Sequence, residues 1–329
     1  MSTKKIHSSL LNEEGVSQLL HRLFREERPS PAIKIVVILG QTATGKSDLA
    51  VEIAKEFSGE IISADSRQVY KGLDIGSGKI TKREMRSMKH YLLDVANPKR
   101  QFSVAQYKKL ADRAILEINE KNKLPIIVGG TGFYIQAIVD GLVLPEVKPN
   151  AKLRKELERK SPEQLFEILK KLDKARAKEI EKNNPRRLIR AIEVAKALGK
   201  VPKLKTDSKY DVLQIGLKLE EKKLKDNIHK RLMARMKKGM VKEVEKLHSP
   251  PAGGGLSWRR LEALGLEYKN LALYLQGKMS KAELLTKIET ESWQFAKRQM
   301  RWFKRDNKIK WFKPNEAKKI EKEIKKFIK

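Results

Sequence analysis

Cysteine is missing from all 329 positions of the chain. Its absence rules out disulfides, thiolate nucleophiles, Cys-ligated zinc and iron–sulfur clusters. Long apolar runs are missing too, and none approaches the roughly 18 residues that a membrane span needs. Acidic residues are few: 41 Asp plus Glu stand against 73 Lys plus Arg, a formal charge of +32. The first thirty residues nevertheless hold Glu13, Glu14, Glu26 and Glu27, which signal and transit peptides avoid. These features lead to the expectation of a cytoplasmic, monomeric protein with no membrane partner. A positive charge this large calls for an anionic partner, most naturally nucleic acid. A Lys-rich compositional bias is the plainer explanation. It accounts for scattered Lys better than for clustered Arg.

What is present begins with GQTATGKS at residues 40–47. The pattern G-x-x-x-x-G-K-[ST] falls on Gly40, Gly45, Lys46 and Ser47. Such a loop wraps backbone N–H groups around phosphate oxygens, with the Lys and the hydroxyl assisting. The context is the required one. KIVVILG before the loop is a β-branched run that reads as a buried parallel strand, and SDLAVEIAKEF after it has helical spacing. Further strands are expected at residues 60–66, 90–95, 124–132 and 211–219, with an amphipathic helix between Ser103 and Asn122. This alternation predicts an α/β fold, a P-loop NTPase-like parallel sheet covered on both faces.

Residues 141–150 carry two prolines and mark a boundary. Residues 146–182 read as a helical insertion, or lid, between a core at 31–145 and a segment at 183–329 that completes the sheet. Everything after Glu220 reads as helical, with a flexible break at PPAGGG. Residues 1–30 form an extension in which LNEEGVSQLLHRLF reads as a short amphipathic helix. No internal repeat is visible.

Whose phosphates the loop holds depends on the acids nearby. An ATPase needs a Walker-B carboxylate at a strand end. The strand PIIV leads into Gly129 and Gly130 with no acid, but YLLD offers Asp94, which keeps an ATPase or kinase open. Asp65 also ends a strand, where ligand crevices lie in parallel sheets. A carboxylate there holds metal-bound water or accepts a proton; a cap formed with Ser66 is the plainer role. Thr131 in GGTG can donate to a ligand. For GLDIGSGK, residues 72–79, a plain turn is the more natural reading. Arg186, Arg187 and Arg190 cluster at a helix start marked by Asn184 and Pro185, where cations oppose the helix dipole unless an anion docks. Residues 295–312 interleave Lys297, Arg298, Arg301 and Lys304 with Trp302, Phe303 and Trp311. That suits RNA backbone contact and base stacking, or equally a solvated outer face over core aromatics.

Taken together and in order, GQTATGKS, DSRQVYKGLDIGSGK, PIIVGGTGFYIQAIVDG, NPRRLIRAIEV and AKRQMRWF resemble five blocks of the tRNA dimethylallyltransferase (isopentenyl-tRNA transferase) family. The resemblance runs from about Ile33 to Phe312. It implies transfer of a dimethylallyl group from dimethylallyl diphosphate to N6 of adenosine 37, beside the tRNA anticodon. Residues Gly40, Gln41, Thr42, Ala43, Thr44, Gly45, Lys46 and Ser47 would then bind the donor's diphosphate, with Ser47 on Mg2+. Asp65, Ser66, Arg67 and Gln68 would contact the flipped adenosine, and Asp65 would take the N6 proton. Thr131 and the segment Arg186, Arg187, Leu188, Ile189 and Arg190 would lie at the tRNA and donor site, with Arg190 on the leaving group. Arg298 and Arg301 would meet tRNA phosphates. Two positions depart from the family pattern: Ser77 replaces the Thr of D-I-G-T, and Leu266 stands where Tyr is common. The zinc finger of eukaryotic members is absent, so the chain looks like the bacterial form. The alternatives are a nucleoside or metabolite kinase, an RNA-binding P-loop ATPase, and a prenyltransferase acting on free AMP.

Overall fold

The computed structural model describes residues 32–250 and 253–329. The expected N-terminal extension and its helix lie outside these residues. Strand β1 (Ile33–Gly40) is the apolar run before the phosphate loop, and Ile35 to Leu39 are fully buried. It pairs in parallel with β4 (Leu124–Gly129), in register Val36 to Ile126 and Leu39 to Gly129. β4 pairs in parallel with β2 (Gly59–Ala64), and β2 with the two-residue β3 (His90–Tyr91). On the other side of β1 lies β7 (Tyr210–Leu217), paired in parallel with β8 (Lys310–Phe312). The sheet order is therefore β3-β2-β4-β1-β7-β8, the mostly parallel α/β arrangement that the strand and helix alternation predicts.

Burial of both faces explains why these strands are nearly continuous apolar runs. Helix α1 (Lys46–Glu56) brings Leu49, Ala50 and Ile53 against Val36, Ile38 and Ile126, together with Ile320 and Ile324 from the last helix. The short α2 (Lys82–Met85) has a Thr81–Glu84 capping box. Helix α3 (Val104–Glu120) has one from Ser103 and Gln106 and buries Tyr107, Ala111, Ile115 and Ile118. Helix α4 (Gly132–Val139) follows β4. A two-stranded ribbon of β5 (Leu142–Val143) and β6 (Lys205–Thr206) closes the base of the insertion. The insertion itself holds α5 (Ala151–Leu157), α6 (Pro162–Leu172) and α7 (Lys174–Glu179). Its apolar core continues into α8 (Pro185–Leu198) through Leu188, Ile189 and Ile192.

After β7 come α9 (Glu221–Lys237), α10 (Met240–His248), α11 (Trp258–Leu264), α12 (Leu266–Leu275), α13 (Lys281–Phe303) and α14 (Ala317–Ile328). Core, insertion and these helices form one unit spanning Lys34–Lys329.

Two expectations are corrected. The segment after Glu220 is not all helix, because β8 adds an edge strand. Residues Lys308 to Trp311 alternate polar and apolar into this strand, and Gly216 of β7 leaves room for Trp311, whose ring a Cβ there would meet at 2.6 Å. The strand expected at 90–95 stops at Tyr91, since Leu92 and Asp94 adopt left-handed backbone, φ 63° and 57°.

Candidate active site

The phosphate loop leaves β1 at Gly40, whose φ is 141° and whose missing Cβ would lie 2.4 Å from the Leu217 carbonyl oxygen. Only glycine fits there. Gly45 then caps α1 with φ 84°. Inside the loop, the Thr44 hydroxyl donates to the Gln41 carbonyl at 2.9 Å, and the Lys46 ammonium donates to the same oxygen. Lys46 is half-buried. Burial first, and the Arg231 guanidinium second, pull its ammonium down from 10.5 to about 7, against the opposing pull of the Asp65 carboxylate.

Three side chains from the C-terminal helices hold this loop in place. The Thr42 amide donates to Oε1 of Gln299 at 2.8 Å, and Gln299 Nε2 donates to the Gly130 carbonyl at 2.9 Å. One buried amide thus joins the phosphate loop to the GGTG loop. A Cβ on Gly130 would sit 2.2 Å from Gln299 Nε2, so any side chain there would displace this amide. Gln41 donates to the Ala296 carbonyl at 3.1 Å, and Asn227 Nδ2 to the Ala43 carbonyl at 3.0 Å. Asn227, Arg231 and Arg235 are spaced by four on α9, which puts them on one helix face. Arg231 reaches the Thr42 hydroxyl at 3.3 Å, and Arg235 reaches the Gly76 carbonyl and Glu267 at 3.2 and 3.1 Å. Burial, then the charge of Arg235, lower Arg231 to about 10, so it stays cationic at neutral pH.

Beside this loop the ends of β2 and β4 meet. Asp65 Oδ1 accepts the Arg67 and Gln68 amides at 2.8 and 3.3 Å, so one oxygen shapes the turn while Oδ2 has no role in it. The Thr131 hydroxyl oxygen accepts the Ser66 amide at 3.0 Å, which leaves its proton to donate. These groups share one open cleft. Its polar side carries Thr42, Asp65, Ser66, Arg67, Thr131 and Arg231, and its other wall is apolar: Ile228, Leu232, Leu266, Ile288 and Phe295. Two residues of the phosphate loop, Thr42 and Ala43, a carboxylate and an apolar slot therefore open onto the same space, while Lys46 does not line it.

The pattern of the IPP transferase family matches residues 68–306. The chain belongs to this family. It is 41% identical over 309 residues to a tRNA dimethylallyltransferase of Thermoanaerobacter sp. (strain X514), covering 90% of this chain and 96% of that protein. It is 39% identical to one of Anoxybacillus flavithermus, covering 85% and 90%. The crystal structure of a tRNA isopentenylpyrophosphate transferase from Bacillus halodurans superposes with a TM-score of 0.65 at 35% identity, over 88% of this chain and 95% of that one. A eukaryotic dimethylallyltransferase acting on tRNA superposes at 0.71 with 26% identity, over 82% and 70%.

Within the IPP transferase framework, only some of the expected site residues line the cleft, and Gly40, Gln41, Thr44, Gly45 and Lys46 of the phosphate loop do not. Thr42, Ala43, Asp65, Ser66, Arg67 and Thr131 line the cleft together, while Ser47 is exposed at the first turn of α1. Gln68 turns to the neighbouring loop, where Nε2 donates to the Gly78 carbonyl at 3.2 Å. The residues from Arg186 to Arg190 do not line the cleft. Leu188 and Ile189 are buried in the insertion core. Arg187 pairs with Glu181 at 3.2 Å. Arg190 donates to buried Glu193 at 2.5 Å and to the Val147 carbonyl at 3.0 Å, beside the Arg154–Glu193 pair. The anion at this helix start is thus supplied from within. Arg298 and Arg301 are exposed on α13, outside the cleft lining.

Trp302 and Trp311 do not form an open platform. The Trp302 ring packs where a Cβ on Gly132 would lie 2.2 Å away, and it carries Arg305 over its face at 4.3 Å. Asp94 is outside the cleft lining, paired with Lys79 at 2.5 Å. The kinase reading thereby loses its acid. Sequence reasoning missed Gln299, Arg231 and the apolar wall; the i, i+4, i+8 spacing of Asn227, Arg231 and Arg235 was the one local signal available.

Proposed function

We propose that the chain transfers a dimethylallyl group from dimethylallyl diphosphate to N6 of adenosine 37 in tRNA and releases diphosphate. One observation carries this reading: the phosphate loop shares its cleft with an apolar wall and with Asp65. A hydrolysable nucleotide needs no apolar slot at its reacting end, but a five-carbon allyl group does.

In this reading the phosphate loop, Lys46 and Arg231 hold the diphosphate and stabilise the charge that builds as it leaves. The wall of Ile228, Leu232, Leu266, Ile288 and Phe295 holds the allyl carbons and keeps water from the electron-poor centre. The adenine, drawn out of its stack, meets Thr131 and Asp65. The allylic C–O bond breaks with its electron pair going to the diphosphate oxygen. The N6–C bond forms, and the N6 proton passes to Asp65 Oδ2. Arg231 takes the leaving-group role expected of Arg190, which instead anchors the insertion.

Mg2+ fits the residues present. Ser47 offers one hard oxygen, and Mg2+ on phosphates takes its other ligands from phosphate and water. No group of three or more His, Cys, Asp or Glu forms an all-protein cage among the described residues. When bound, the ion would neutralise charge on the diphosphate.

The tRNA anticodon stem-loop would lie along exposed Arg298 and Arg301 and the exposed Arg186 and Arg187 at the start of α8. We further propose action as a monomer in the cytoplasm; no helix among the described residues is long and apolar enough to cross a membrane. The test is incubation with unmodified tRNA and either radiolabelled dimethylallyl diphosphate or γ-labelled ATP. Label should enter tRNA from the first only. Phosphate release from ATP, with no label in tRNA, would return the protein to the ATPase class.

A further inference from the structure

The loop at residues 72–79 has no part in the mechanism above, although its Ser77 lines the cleft. Three of its successive amides converge on one carboxylate. Glu243 of α10 accepts from Asp74 and Ile75 with Oε2, at 3.1 and 2.6 Å, and from Gly76 with Oε1 at 3.0 Å. The Tyr268 hydroxyl donates to the same Oε1 at 2.8 Å and accepts the Ser77 amide at 3.1 Å. Successive N–H groups of this kind make a concavity for an anion. Here the anion is a side chain of the protein itself, brought from α10. Gly76 has to be glycine for this packing, since a Cβ would meet the Tyr268 ring at 2.8 Å. From the cleft side, Arg235 donates to the Gly76 carbonyl at 3.2 Å.

We propose that Glu243 is a positioning residue for the transfer reaction. As a built-in anion it fills the amide nest of residues 74–76 and fixes Ser77 and Arg235 at the cleft wall. The proposal rests on the prenyl-transfer reading of that cleft. Both carboxylate oxygens of Glu243 are engaged, by four donors in all, so it acts through the loop and not on the substrate. Glutamine is nearly isosteric but cannot replace it, because its NH2 would face N–H or O–H donors.

The experiment compares wild type, Glu243→Gln and Glu243→Ala in single-turnover transfer, with hydrogen exchange of the loop amides measured without substrate. Both variants should lose on the order of 10²-fold in rate, the scale of a small misplacement at a reacting site, with little change in tRNA affinity. Amides 74–76 should exchange faster in both variants. Sodium acetate should slow that exchange in Glu243→Ala and restore part of its rate in a saturable way, while sodium chloride at equal ionic strength should not. Glu243→Gln should gain nothing from acetate, because its nest is still filled. Wild-type rates in both variants would overturn the proposal. A lost rate with no acetate rescue of either rate or exchange would also overturn it, by assigning Glu243 a general folding role. If wild type itself fails to transfer, the reading of the activity falls, and the exchange measurements alone still decide whether Glu243 fills the nest.

Discussion

Asp65→Asn separates the two jobs that the structure gives this carboxylate. Oδ1 accepts the Arg67 and Gln68 amides at 2.8 and 3.3 Å, and asparagine keeps an oxygen for both. The turn, the tie from Ser66 to Thr131 and the cleft shape should therefore survive. What is lost is the second oxygen, which becomes an NH2 that cannot take a proton and that faces the donor N6–H. Loss of a general base costs about 10²- to 10⁴-fold, or about 2.7 to 5.4 kcal/mol of barrier. Asp65→Ala should lose the same rate and, in addition, about 1 kcal/mol of stability for each amide left without its partner. The assay is single-turnover transfer with both substrates saturating, run beside thermal melts of the three proteins. The expected result is two slow variants, of which only alanine melts early. Asp65→Asn transferring within about threefold of wild type would refute the reasoning, since general-base loss is larger than that. The carboxylate would then be a turn cap and nothing more.

Arg231→Ala should lower the single-turnover rate by about 10²-fold or more, as removal of a charge-stabilising donor does. Arg190→Ala should leave that rate near wild type and instead loosen the insertion, read as a lower melting temperature. The reverse pattern would restore Arg190 to the leaving group. Binding of tRNA should weaken with salt by a slope of roughly −0.7 to −0.9 per phosphate neutralised; a double Arg298→Ala, Arg301→Ala variant should flatten it, and an unchanged slope would move the basic surface elsewhere. Lys46 gives a pH dependence. Its folded value of about 7 lies below the ordinary 10.5, so the unfolded chain binds more protons across that window, and Lys46 favours the ligand-free fold increasingly as pH rises through it. A diphosphate favours the ammonium, so donor binding should take up a proton and weaken as pH climbs above about 7. Calorimetry in buffers of different ionisation heat reads the uptake. The same uptake in Lys46→Ala would contradict this assignment.

The parts of this site legible in the sequence are those built by short local patterns at strand ends. GQTATGKS, Asp65 and Thr131 each follow an apolar run, and parallel strand ends converge by topology alone. The apolar wall was not legible, because Ile228 and Leu232 come from α9, Leu266 from α12, and Ile288 and Phe295 from α13. Each reads locally as an ordinary core residue. Gln299 was hidden inside KRQMR, where charge drew attention away from the one neutral amide that is buried. The Arg cluster at 186–190 looked like an anion site because no sequence motif singles out its counter-ions, Glu181 and Glu193. Glu193 is in fact 2% exposed. In β8, the three residues KWF were too short a signal to outweigh a long basic helix beside them.

The central claim is that the phosphate loop grips a prenyl donor whose allyl group goes to a tRNA base. The most direct measurement is nucleoside mass spectrometry of an unmodified tRNA transcript after incubation with the purified protein and dimethylallyl diphosphate. The account predicts one five-carbon unit on the adenosine at position 37, dependent on Asp65 and absent when ATP replaces the donor. A transcript that returns unmodified, or one modified equally well by Asp65→Asn, would contradict it.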